Sequence, residues 1–208
     1  MKIRRTQEER STETRAALLQ ATVSAIHDLG YAAVTTAIIS ERAGLSRGAF
    51  LYHFHTKAEL MAAVVKMVFD DEMAQYQKIV QSPEMDHLSQ WPRILWSVLS
   101  RPSGIAVLEI LQAARSDPDL ARMVGPTQKG AEEGALNKLR EEYGGDEATA
   151  RSVMRLMVWA IRGLTLSDMI LPDRQATMGA VNLLANMLLA VSPDGAVHGL
   201  QQFTSPPD

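Results

Sequence analysis

The chain has 208 residues, 46% of them hydrophobic and 22% charged, which excludes a disordered polypeptide and suits one or two domains with a sizeable core. It contains no cysteine, which excludes a disulfide framework, a thiolate metal site and a cysteine nucleophile. The net charge of −3 is unevenly spread: residues 1–60 hold eight Lys/Arg against six Asp/Glu, with three of the five histidines, and the remainder is net −5. A mildly basic head on an acidic body is consistent with a split between DNA binding and another task.

The start, MKIRRTQEERSTETR, is charged and lacks the apolar stretch of a signal peptide. A cytoplasmic setting is expected. Apolar residues Leu19, Val23 and Ile26 then recur at helical spacing until Gly30 stops the helix. A short helix is predicted from about Ala37 to Ala43, opened by Thr35 or Thr36 as N-cap and broken by Gly44. Ser46 caps the next helix, which must be short because Thr56 starts another. That one runs from Lys57 to about Val80. SPEMD, RPSG, the pair Asp117–Pro118, YGGD and LPD then separate further helical stretches, with Asp146 as a ready N-cap and proline at home in a first helical turn. The tail SPDGAVHGLQQFTSPPD is rich in Pro, Gly and Ser and reads as loose. No stretch reads as a strand. The longest apolar-rich segments are broken by Arg155, Arg162 or Asp168, so no run approaches the ~20 uncharged residues of a membrane helix. The fold class is all-α with about nine helices, three short ones at the front and six behind.

The second and third helices, joined by a tight turn containing Gly44, are a helix-turn-helix candidate. On a helical wheel of ~100° per residue, placing Phe50 and Phe54 inward puts Gly48 and Tyr52 on the outer face, flanked by Ala49 and Leu51. Glycine in a helix costs roughly 1 kcal/mol relative to alanine. On an outer face it lets the backbone come close to another surface, and a DNA groove is one such surface.

The stretch TTAIISERAGLSRGAFLYHFHTKAEL resembles the DNA-binding domain of the TetR/AcrR family of bacterial transcriptional regulators. The resemblance rests on Thr35, Ile39, Ala43, Gly44, Ser46, Gly48, His53, Phe54, Lys57 and Leu60 at the family's fixed spacing, and covers about the first 60 residues. The chain departs from the pattern at Leu51, where the family usually has tyrosine; Tyr52 follows one position later. Ile38 stands where the family is often polar. The resemblance implies a homodimer that binds double-stranded, roughly palindromic operator DNA through its heads and holds a small-molecule effector in each body. It also implies Lys57 as a phosphate contact; the residue alone reads equally as a solvated charge. Thr35, Thr36 and Ser46 could offer hydroxyls and N–H groups to phosphates, and Thr35 and Ser46 serve as caps with or without DNA. Arg47 could read a guanine edge or clamp a phosphate. Gly48, Ala49, Tyr52 and His53 complete the expected DNA-binding set, and Lys2, Arg4 and Arg5 form a basic arm suited to a minor groove.

The expected organisation is a helix-turn-helix domain over residues 1–56, a helical ligand-binding and dimerisation domain over 57–191, and a flexible tail over 192–208. Two apolar stripes, Val153, Leu156/Met157, Ala160 and Leu164, and Met178, Val181, Ala185 and Leu188, would either face their own core or join two subunits in a four-helix bundle. The family favours the interface. Trp96, Met123, Trp159 and Arg162 are candidate contacts for a mostly apolar effector, with Arg162 available to an anionic group. Glu109 is the other charge that interrupts an apolar helix. No hydrolase elbow, phosphate-binding glycine loop or zinc-protease motif occurs, so no enzyme, cofactor or metal is expected. The function read from the sequence is a ligand-responsive transcriptional regulator, a repressor released from its operator by the effector. The alternative is a helical small-molecule-binding or interaction protein without DNA binding.

Overall fold

The helices that open at Gln7, Thr36, Arg47, Glu147 and Arg174 each begin at a side-chain cap that the sequence supplies. The computed structural model describes residues 6–81 and 87–204; within them lie ten α-helices and two short 3-10 turns, and no strand. Helix α1 (Gln7–Leu29) opens with a capping box, in which the Thr6 hydroxyl accepts from the Glu9 N–H at 3.1 Å and the Glu9 carboxylate accepts from the Thr6 N–H at 2.7 Å. It ends at Gly30, whose φ of +77° an L side chain rarely adopts. Then come α2 (Thr36–Arg42), α3 (Arg47–His53), α4 (Lys57–Val80), a 3-10 turn (Leu88–Gln90), α5 (Trp91–Leu99), α6 (Pro102–Ala114) and α7 (Pro118–Tyr143). Helices α8 (Glu147–Ile170) and α9 (Arg174–Val191) follow, capped by the carboxylates of Asp146 and Asp173. A 3-10 turn (Val197–Leu200) and α10 (Gln201–Thr204) close the described chain. No single described helix is long and apolar enough to cross a membrane.

The chain divides into two units, residues 1–68 with 102–128 and residues 69–101 with 129–208. In the first, α1 buries Leu18, Leu19, Val23 and Ile26, and α6 packs along it with Ile105, Ala106, Val107 and Ile110 inward. The lone acid of α6 has a partner: the Glu109 carboxylate accepts a hydrogen bond from the Tyr31 N–H at 2.5 Å. Tyr31 opens the turn between α1 and α2. Its carbonyl accepts from the Lys57 ammonium at 3.3 Å, and the same ammonium lies 4.1 Å from the centre of the Tyr31 ring. This one residue is thus held at its N–H from α6 and at its C=O from α4.

The second unit has an apolar core built from Trp91, Ile94, Leu95, Trp96 and Leu99 of α5, Leu136 and Leu139 of α7, Val153, Met154, Met157 and Ile161 of α8, and Val181 and Leu188 of α9. Into this core α4 sends Glu72 and α8 sends Arg162, both buried, with one contact of 3.4 Å between the Arg162 guanidinium and Glu72 Oε2. The Glu72 Oε1 is buried with no hydrogen-bond partner. Burial pushes the Glu72 carboxyl up to about 7; Arg162 opposes that shift and the neighbouring Asp71 adds to it.

The segment after α9, expected to be loose, is folded through residue 204. Val197 and Leu200 are buried in the core of this unit. The Gly195 carbonyl accepts from the Leu88 N–H at 3.2 Å, and at φ +75° a Cβ on Gly195 would lie 2.7 Å from His87 Cδ2. The glycines that suggest looseness are what let the backbone turn back this tightly, and two aliphatic anchors hold it there. The apolar stripes also fall differently from expectation. Val153, Met157, Val181, Ala185 and Leu188 face their own core. The outward apolar residues include Leu156, at 63% exposure, and Trp159, at 48%, on α8, with Leu183 and Met187 on α9. Adjacent positions on a helix differ by ~100°, so choosing Met157 over Leu156 turns the stripe to a different surface.

Candidate nucleic-acid interface

The helix-turn-helix is set by two hydroxyl caps and one glycine. Thr35 has extended backbone and its hydroxyl accepts from the Ile38 N–H at 3.3 Å, so Thr36 begins α2 fully exposed. At Gly44 φ is +66°, and the Leu45 N–H returns to the Ser40 carbonyl at 2.9 Å. Ser46 then caps α3, its hydroxyl accepting from the Ala49 N–H at 3.1 Å. Arg42 braces the turn from behind by donating to Ser24 at 2.8 Å and to Asp28 at 2.5 Å. Its guanidinium, and then His27, hold the Asp28 carboxyl below its usual range.

Helix α3 has two chemically distinct faces. Phe50 and Phe54 are buried, their rings 6.2 Å apart and tilted, with the Arg15 guanidinium 5.0 Å from the Phe54 ring. The opposite face carries Gly48 and Tyr52, both exposed, flanked by exposed Leu51 and half-buried Ala49, and Arg47 is exposed in the first turn. A Cβ added at Gly48 would meet only the Ser46 Oγ, at 3.7 Å. Nothing among the described residues therefore requires glycine there. Tyr52 is 73% exposed and its ring stands edge-on to that of His53, 5.0 Å away. Burial, with a smaller contribution from Arg15, lowers the His53 pKa, so that ring is neutral at pH 7 and suits positioning Tyr52 better than pairing with a phosphate.

The structure brings Thr36, Ser46, Arg47, Gly48 and Tyr52 to exposed positions and treats two other candidates differently. The Thr35 and Ser46 hydroxyls are already acceptors within their own caps, which leaves their O–H groups as donors. Lys57 is half-buried and its ammonium is turned onto Tyr31; burial lowers its pKa, with Asp117 opposing. A phosphate would have to share it with the Tyr31 carbonyl. The basic arm Lys2, Arg4 and Arg5 lies outside the described residues. Leu51, the departure from the family pattern that was left out of the expected DNA-binding set, is 44% exposed on the flank of the outer face.

The four candidate effector contacts are divided between the two units. Trp96 is buried in the core of the second unit with the Arg174 guanidinium 5.9 Å from its ring. Arg162 is buried there too, already facing Glu72. Trp159 points outward from α8 and so lines no interior cavity, and Met123 is a half-buried residue of the first unit.

Comparison with known proteins places these features. The sequence profile described as "Bacterial regulatory proteins, tetR family" matches residues 18–64, which includes α2, α3 and the caps of both. An HTH-type transcriptional regulator of Mycobacterium bovis is 36% identical over 118 residues, covering 56% of this chain and 60% of that protein. The regulator TtgR of Pseudomonas putida is 36% identical over 100 residues, covering 47% of this chain and 46% of that one. The matched segment thus spans at most about three-fifths of these relatives. A crystal structure described as a putative transcriptional regulator from Pseudomonas aeruginosa PAO1 shares the fold over 97% of both chains, with a TM-score of 0.68 at 20% identity. The family is one of transcriptional regulators rather than enzymes. Over residues 18–64, which hold the helix-turn-helix of α2 and α3, the chain is similar to the TetR family of bacterial regulatory proteins.

Proposed function

We propose that the chain is a DNA-binding transcriptional regulator that works as a cytoplasmic homodimer on a roughly palindromic operator. The observation that carries this reading is the outer face of α3. Gly48 stands there with no internal neighbour that a side chain would strike, and Arg47, Leu51 and Tyr52 surround it, exposed. A helix that gives up roughly 1 kcal/mol of propensity at such a position gains close approach of its backbone to a groove.

The homodimer reading is supported by α8 and α9. Leu156, Trp159, Leu183 and Met187 are exposed on the two helices, and Gly163 and Gly179 are exposed with nothing within 4 Å of an added Cβ. Exposed glycines beside large apolar residues suit a second pair of helices packing closely. The effector reading, a small and mostly hydrophobic molecule that releases operator, follows from the family; such a molecule shifts the balance only by its differential affinity for the two states. An anionic group on it would compete with Glu72 for Arg162.

The test is fluorescence anisotropy of the purified full chain with duplexes selected by it from a random pool, across a range of salt. A regulator binds the selected sequence well above scrambled DNA, with affinity falling steeply as salt rises. Equal or absent binding would refute the reading and leave a helical interaction protein.

A further inference from the structure

Resting on the DNA-binding reading above, we infer that Leu51 is a specificity-determining residue that reads the 5-methyl group of a thymine in each operator half-site. An exposed leucine is in itself ordinary; its position is what matters. It lies one turn after Arg47 and beside Tyr52, exposed on the flank of the outer face that Gly48 and Tyr52 form on α3. Each of the other large side chains on that face can donate a hydrogen bond: the Arg47 guanidinium, and the Tyr52 hydroxyl, whose ring is set edge-on against His53. Leu51 can neither donate nor accept.

A backbone brought close at Gly48 carries Leu51 into the same groove. There its apolar surface must leave water, and what it meets decides whether that helps or costs. Against a phosphate or an amino edge it would strip hydration from a polar group and return nothing. The one apolar feature that a base pair presents in the major groove is the thymine methyl, absent from A, G and C. The chemistry of Leu51 therefore selects a T at the position it covers. Arg47 and Tyr52, able to pair with phosphates or base edges, impose no such demand for a methyl group.

The experiment uses the full-length chain and the duplex it selects, with each thymidine in turn replaced by deoxyuridine in both half-sites. This removes the methyl and leaves every hydrogen-bonding group in place. Wild type should lose about fourfold in affinity per half-site at one symmetric thymine, the value of burying one methyl-sized group, and little at the others. Leu51→Ala should keep its melting temperature and bind the thymidine and deoxyuridine duplexes alike. Tyr52→Phe should bind both more weakly while retaining the wild-type ratio between them. No methyl-sensitive thymine in wild type, or a methyl preference that survives in Leu51→Ala, would overturn the assignment to Leu51 while leaving operator binding intact. A wild type that selects no sequence would remove the regulator reading first, and this inference with it.

Discussion

Glu72 sets up a stability experiment with a definite sign. The carboxyl is buried in the second unit, has one long contact to Arg162 and leaves Oε1 without a partner. At an effective dielectric near 20, a close ion pair is worth about 4 kcal/mol, while removing each ion from water costs several. With a single 3.4 Å contact, desolvation wins and the folded-state value rises from 4.5 to about 7. The folded protein therefore binds this proton more tightly than the unfolded chain does. Its contribution to stability is fully present below pH 4.5 and is lost as pH rises toward 7. At about 1.4 kcal/mol per pH unit, that interval corresponds to a loss on the order of 3 kcal/mol. Glu72→Gln has nearly the shape of the protonated acid and does not titrate. Urea unfolding of both proteins at a series of pH values from 4.5 to 8 isolates the one group, because all others cancel in the difference. Wild type should match or exceed the variant at pH 4.5 to 5 and fall behind progressively, by roughly 3 kcal/mol at pH 8. A difference that stays flat would show that Arg162 fully offsets burial, and one that moves in favour of wild type as pH rises that it over-compensates and the pair is a net stabiliser; either would refute the reasoning.

Three further outcomes follow from the same structure. Gly48→Leu should melt at or slightly above the wild-type temperature, since leucine is the better helix former and the added Cβ has room, yet anisotropy should show operator binding reduced by at least an order of magnitude. Leu156→Glu, at an exposed position, should sediment as a monomer with its helicity unchanged, whereas Ala185→Glu should lose folded structure because that site is buried in its own core; dimeric Leu156→Glu would count against the α8–α9 interface. Gly145→Ala places a Cβ 2.6 Å from Val197 Cγ1 at φ +87° and should cost about 1–3 kcal/mol in denaturant unfolding, a loss that a wild-type midpoint would contradict.

Helix boundaries were legible because local chemistry fixes them. Thr35, Ser46 and Asp146 each cap a helix whatever the rest of the chain does, and Gly30 and Gly44 end one because of backbone freedom alone. The two faces of α3 followed from spacing, since Phe50 and Phe54 are too large to leave in water. The phase of α8 did not, because Leu156 and Met157 are equally apolar and only packing chooses between them. The last segment was misjudged for a related reason: composition counts Pro and Gly but cannot register that Val197 finds a core. Lys57 and Glu109 stood out as charges, yet that both converge on the backbone of Tyr31 is a tertiary fact that no spacing encodes.

The internal commitments of the head's cations bear on how such a protein would search a chromosome. Arg15 lies over Phe54, Arg42 is fastened to Asp28 and Ser24, and Lys57 is turned onto Tyr31. Non-specific attraction to DNA scales with the number of phosphates neutralised and the counterions released. Charges spent on bracing the fold would contribute less to it, so these three cations would add little to the hold of random DNA. In a regulator, that would raise the ratio of specific to non-specific binding, the quantity that decides occupancy when a few molecules face a whole genome.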